Sequence, residues 1–259
     1  MFPVDLAAVR AAFDEQMRRD APPGPDSRIE RDEKVTRGLA VDGSWAAVLW
    51  SDLTEADVAG VVAAETARDV PYLEWKHYSG DRPDDLPERL VAAGLTPEGP
   101  ETVLVADLAE LEPADPAPDG VRVATVDDET GVEALVAVHQ EVFGDLHPGT
   151  QSSVLTSLRL DPRPVEAVVA WAGDRPIAAG RIEFSDGRDF AGLFGGGTAA
   201  EWRGKGVFRA LVAHRAARAR ERGVRYLYVD AVPMSRPIFQ RLGFLPLTET
   251  TPYVRSRGG

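Results

Sequence analysis

Between Phe190 and Leu211 the chain runs FAGLFGGGTAAEWRGKGVFRAL: an apolar stretch of strand length, a glycine-rich turn, then a helix. A strand delivered through such a turn into a helix is the core unit of an α/β sheet. In Arg203-Gly204-Lys205-Gly206-Val207-Phe208 the glycines let backbone N–H groups approach a ligand closely. These amides lie at a helix N-terminus, where the dipole favours an anion, and Arg203 and Lys205 add positive charge beside them. The combination suits a pyrophosphate. A Walker A loop needs glycine five residues before Gly204 and Ser or Thr after Lys205, but Ala199 and Gly206 stand there. A dinucleotide fingerprint needs Gly or Ala three residues after Gly206, where the chain has Arg209.

The segment Glu201-Trp202-Arg203-Gly204-Lys205-Gly206 resembles the pyrophosphate loop of the GNAT acyltransferase family, written Q/R-x-x-G-x-G/A. Downstream, Pro237–Phe244 (PIFQRLGF) is similar to that family's second signature, a short helix ending in aromatic-x-x-L-G-F. The resemblance spans Val121 to Arg255 and implies an α/β (α+β) mixed-sheet fold. It also implies acetyl-CoA or another acyl-CoA as donor, and direct acyl transfer to an amine acceptor of a small molecule or peptide in one ternary complex. Carried over by position, it assigns CoA binding to Phe194, Gly196, Gly197, Thr198, Arg203, Gly204, Lys205, Gly206, Val207, Phe208 and Phe239. The Phe194–Thr198 backbone becomes the oxyanion and pantetheine contact. Two positions depart from the family. Glu201 replaces Gln or Arg, placing an anion near the phosphates, and Phe239 stands where many members carry a tyrosine taken as general acid. Phenylalanine cannot donate a proton, so water, Ser235 or another hydroxyl must serve, or the thiolate leaves unprotonated. For the general base, Glu183 late in one strand and Asp230 at the end of another are the candidates, against the plainer reading of charges at strand ends. Phe208, Trp171, Trp202, Tyr226 and Tyr228 read as packing around the sheet.

The segment Leu108–Gly120 (LAELEPADPAPDG) carries three prolines among acidic and small residues and reads as a linker. It divides the chain into an N-terminal α/β domain at 1–108, a linker at 109–120 and the acyl-CoA domain at 121–259. The first half opens with a helix over Asp5–Arg19. Strands follow at 34–41 and 45–50, a helix from Leu53 capped by Thr54, a strand at 72–78, a helix at 85–93 and a strand at 102–107. It lacks a phosphate loop and is similar only to the degenerate first half of tandem GNAT proteins. Both halves end in strand, short helix, a Gly-apolar pair (Gly94-Leu95, Gly243-Phe244) and strand, which ordinary glycine helix stops explain equally well. In the second half, strands are expected at 121–125, 165–172, 177–184, 190–194, 226–230 and 251–255. Helices are expected at 128–143, 151–160, 205–222 and 236–242.

A net charge of −13 argues against nucleic-acid binding, which draws its affinity from clustered Lys and Arg. It weakly favours a cationic acceptor. Locally the balance reverses: from Glu201 to Arg225 eight basic residues face two acidic ones. The arginines from Arg215 onward read as the solvated face of a helix paired with Glu221, one or two of them within reach of an adenosine 3'-phosphate. With no cysteine there is no disulfide framework and no thiolate nucleophile. The four histidines, His77, His139, His147 and His214, lack metal-site spacing, so no metal is expected. No Gly-x-Ser-x-Gly elbow supports a hydrolase. No apolar run could span a bilayer and no leader pattern opens the chain, so a cytoplasmic monomer or homodimer is expected. Beside the enzyme stand two other readings: a non-catalytic acyl-CoA-binding module that regulates an interaction, and an enzyme for a larger acyl donor.

Overall fold

A computed structural model describes residues 5–111, 117–144 and 149–257. Pro113 and Pro116 of the linker, and His147, lie outside them. In chain order the first half carries α1 (Leu6–Phe13), a π-helical continuation (Asp14–Arg19), β1 (Ser27–Arg31), β2 (Val35–Ala40), β3 (Trp45–Ser51), α2 (Val58–Thr66), β4 (Tyr72–Tyr78), α3 (Leu86–Ala92), β5 (Thr96–Pro97) and β6 (Glu101–Asp107). The second half carries β7 (Val121–Thr125), α4 (Glu129–Phe143), α5 (Thr150–Ser157), β8 (Val165–Ala172), β9 (Arg175–Phe184), β10 (Phe190–Thr198), α6 (Val207–Glu221), β11 (Tyr226–Ala231), α7 (Arg236–Arg241) and β12 (Leu245–Ser256).

Compact units do not follow the contiguous division at 109–120. The first takes Met1–Val103 with Ala231–Pro237 and Pro246–Gly259; the second takes Leu104–Asp230 with Ile238–Leu245. The last strand is the reason. In the first unit the strand order is β1-β2-β3-β4-β12, and β12 pairs antiparallel with β4 from Thr250↔Tyr78 to Ser256↔Tyr72. In the second unit the order is β7-β8-β9-β10-β11-β6. Each unit therefore completes its sheet with a strand from the other half of the sequence.

The two units repeat one pattern. In each, antiparallel strands lead into a parallel pair joined by a helix: β3-α2-β4 in the first, β10-α6-β11 in the second. Between β3 and α2, however, the chain reads Ser51-Asp52-Leu53-Thr54-Glu55-Ala56-Asp57, acidic where the second unit is basic. Thr54 caps no helix here. Its hydroxyl donates to Asp57 Oδ2 (2.7 Å) in a turn, and α2 starts only at Val58.

In the first unit a core of Val35, Leu39, Val48, Leu73, Trp75, Leu86 and Leu90 packs sheet against helices. The helix–strand layer also buries Arg18, whose Nη2 donates to both oxygens of Asp81 (2.6 and 2.9 Å) and whose guanidinium lies over the Tyr78 ring. The second unit has a core on each sheet face, and period-2 alternation sorts its residues. Val165, Ala167, Val169 and Ala179 meet Leu135 and Val138 of α4, whereas Val168, Ala170 and Ala178 meet Val207 and Leu211 of α6. Asp128 caps α4 by accepting from the Gly131 amide (2.8 Å), so Asp128→Ala is expected to cost about 1 kcal/mol in urea unfolding. No helix among the described residues is long and apolar enough to cross a membrane.

Candidate functional site

The site is built on the strand and helix that carry the sequence motif, but the glycine-rich stretch is not a turn. β10 continues through Gly195, Gly196 and Gly197 to Thr198, and pairs with β9 at Gly197↔Ala179 and Thr198↔Ala178. Between Phe194↔Arg181 and Gly197↔Ala179 the strand takes one extra residue, a β-bulge with Gly195 at φ +59°. Side chains crowd this stretch from both faces: a Cβ would come within 2.7 Å of His139 at Gly195 and within 2.9 Å of Phe208 at Gly196. Only glycine permits the strand to run here. The parallel ladder with β11 covers just Phe190–Gly192 against Tyr226–Tyr228, while β10 runs on to Thr198.

After Thr198 a short 3₁₀ turn, Ala200–Trp202, leads into the loop, and α6 starts at Val207. Gly204 (φ +74°) and Gly206 (φ +87°) both take the left-handed conformation. Gly206 is the N-cap, and no side chain caps the first turn. The first turn of α6 thus carries the positive end of the helix dipole, with the exposed Arg203 and Lys205 just before it. Arg203 Nε anchors to the Thr198 carbonyl (3.0 Å), and Lys205 Nζ lies 4.9 Å from the Trp202 ring centroid. Thr198 itself has a buried hydroxyl without a hydrogen-bond partner. Glu201 pairs with Arg175, which also reaches Glu141 (3.3 Å). Its own backbone amide and Arg175 hold its carboxyl below the usual glutamate range. Because this charge is already answered, Glu201→Gln is expected to change the affinity of the loop for inorganic pyrophosphate less than about fivefold in a calorimetric titration.

Behind the loop Phe208, Phe239 and Phe244 form an edge-to-face cluster with centroids 5.5 and 5.1 Å apart. Phe239 is 3% exposed, an apolar wall. Val207 is fully buried under α6.

On the face toward α4, alternation aligns the remaining polar groups. Gly192 pairs with Glu183 on one side and Tyr228 on the other, so Glu183, Arg181, Phe194, Tyr228 and Asp230 share that face. The Phe194 and Tyr228 rings meet edge-on at 5.8 Å, and the Arg181 guanidinium lies 5.3 Å from the Phe194 centroid. Glu183 is not a free base: Arg181 Nε donates to its Oε1 at 2.7 Å. Asp230 is half-buried near the end of β11. Ser235 belongs to the first unit, where its hydroxyl donates to the Val232 carbonyl (3.2 Å).

Three further residues carry weight that the sequence reading did not give them. His139, buried on α4, forms a 2.8 Å hydrogen bond through Nε2 to the Gly195 carbonyl, and burial lowers its pKa. Tyr228 presents a phenol on the α4 face. Arg215, read as solvated, is 1% exposed. Arg218 and Arg222 are not simply solvated either. Both hold the buried Glu166 (2.8 and 2.5 Å) in the wall of a cavity of about 450 Å³ that Arg159 and Arg163 also line. Among the described residues no group of three or more His, Asp or Glu side chains could hold a metal.

Residues 132–244 match the model of the acetyltransferase (GNAT) family. No curated protein matches the chain. A GCN5-related N-acetyltransferase from Kribbella flavida superposes over 100% of this chain and 98% of its own, at 19% identity and a TM-score of 0.70. A tandem GNAT protein from the clavulanic acid biosynthesis pathway covers 97% and 94% at 15% identity and a TM-score of 0.61. A GCN5-related N-acetyltransferase from Sphaerobacter thermophilus covers 88% and 82% at 15% identity and a TM-score of 0.59. The match marks residues 132–244 as an acetyltransferase (GNAT) family domain, and both the glycine loop at an uncapped helix and the bulged strand that outruns its parallel partner lie within it.

Proposed function

We propose that the second unit binds acyl-CoA, acetyl-CoA in the first instance, with its pyrophosphate on the loop at Arg203–Gly206 and its pantetheine along the free edge of β10. The acyl group then passes directly to an amine. The amine nitrogen attacks the thioester carbonyl, the C–S bond breaks, and CoA departs as the thiolate while the proton lost by the amine goes to a base or water. The observation that carries this reading is the left-handed pair Gly204 and Gly206 at a helix start with no side-chain cap. Such a terminus favours an anion.

Acceptor chemistry is read from the α4 face, where Glu183 and Asp230 favour a cationic amine. Asp230 takes the role of base in preference to Glu183, whose carboxylate is tied to Arg181. A purely CoA-binding module is the second reading, favoured by Phe239, buried in an aromatic cluster with no proton to give.

Thermal unfolding with acetyl-CoA, CoA and ATP in parallel tests the proposal. A ligand at about 100 times its dissociation constant adds about 2.7 kcal/mol, a shift of several degrees. Stabilisation by acetyl-CoA and CoA alone supports the site, and release of free thiol with an amine panel then separates enzyme from binding module. No shift with either nucleotide thioester or thiol overturns it.

A further inference from the structure

α6 carries one residue that does not belong in a hydrophobic core. Arg215 is 1% exposed and lies on the side of the sheet opposite α4, between β9 and β10. Its Nε donates to the Leu211 carbonyl (3.1 Å) and its Nη1 to the Arg181 carbonyl (3.1 Å). Nη2 has no partner. Among the described residues no carboxylate answers the charge: the charged group that acts on it is Arg181, a second cation, already engaged by Glu183 on the other face. On α4 the facing titratable group is His139, which burial keeps toward its neutral form. Burial pushes the Arg215 pKa down to about 10.

The fold makes room for this cation. A Cβ on Gly180 would lie 2.9 Å from Arg215 Nη1, and the Gly196 site lies 3.7 Å from Nη2. A methionine would fill the same slot without desolvating a charge. The guanidinium sits directly behind the bulge Gly195–Gly197, one backbone layer from the face where a thioester is read to lie.

We propose that Arg215 is a positioning residue: a buried cation without a counter-charge that keeps the glycine bulge electropositive and so stabilises the negative charge that develops on a thioester's carbonyl oxygen as an amine adds, or on the thiolate then released, seated against that bulge. The inference rests on the acyl-CoA reading above. It acts through the β10 backbone and touches no substrate, and a charge acting across one backbone layer moves a pKa by about one to two units.

The test is the thiol pKa of bound CoA, followed by the ultraviolet absorbance of its thiolate as pH is raised, in wild type and in Arg215→Met, Arg215→Gln and Arg215→Lys. Affinity for desulfo-CoA is measured in each. In the variants without the charge, the expected result is a thiol pKa about one unit or more above wild type. Arg215→Lys is expected to lie closer to wild type, with desulfo-CoA affinity within about threefold throughout. If Arg215→Met does not fold, the Gln and Lys variants carry the same comparison. An unchanged thiol pKa in a charge-free variant that still binds CoA overturns the proposal while sparing the acyl-CoA reading. Failure of wild type to bind either CoA or desulfo-CoA overturns both.

Discussion

Gly206→Asp is expected to abolish the stabilisation by CoA, about 2.7 kcal/mol at 100 times the dissociation constant, while leaving the unliganded protein folded. The argument runs from backbone to ligand. At φ +87° most side chains incur about 1–2 kcal/mol of strain, but aspartate tolerates the left-handed region better than most residues. Space is not the obstacle: a Cβ at Gly206 meets nothing closer than Pro118 at 3.6 Å. What changes is charge. The new carboxylate stands beside the first-turn amides of α6 and opposes a pyrophosphate there. Thermal unfolding with and without CoA reads the result, and a shift that survives the substitution places the ligand elsewhere.

Glu166→Gln is expected to destabilise the second unit by about 2–3 kcal/mol at neutral pH in urea unfolding. Glu166 is 3% exposed, and both its oxygens are taken by Arg218 and Arg222. Because those arginines are partly exposed and can rehydrate, the cost falls below that of breaking a fully buried pair. Burial alone would raise the Glu166 pKa, but the hydrogen bonds and charges of Arg218 and Arg222 outweigh it and hold the group below the ordinary glutamate value. The sign follows. A carboxylate with a depressed folded pKa stabilises fully above its unfolded pKa of about 4.3, and the contribution is lost as pH falls through the folded value. The gap between wild type and variant should therefore close in acid. A gap that persists below the folded pKa would mean the glutamate acts by shape and not by charge.

The loop, α6 and the second signature were legible in the sequence because each rests on local rules: glycine at left-handed positions, helical periodicity, and spacing. Three consecutive glycines read as a turn and so end the expected strand at Phe194; the strand runs on with glycine at these positions because His139 and Phe208, which only packing brings near, leave no room for a Cβ. Arg215 could have been found. It lies four residues after Leu211 and eight after Val207, on the apolar stripe of its own helix, and so faces the sheet. Composition hid it, since a basic stretch reads as solvated. Period-2 alternation puts Glu183 and Arg181 on one face, but two charges on one face of a strand do not by themselves specify an ion pair. Division of the chain was the least legible feature. A proline-rich segment marks a break in local structure but says nothing about which remote strand a sheet edge will take.

That exchange of strands has a consequence for how the protein is made. β4 receives its neighbour β12 only when the segment through Ser256 has been synthesised. At ordinary translation rates the stretch from residue 79 to 256 takes roughly 10–35 s to emerge. Throughout that interval the first unit holds an unpaired sheet edge, a template for association with other nascent chains. Its folding therefore waits on β12, although β1 to β4 leave the ribosome well before that strand.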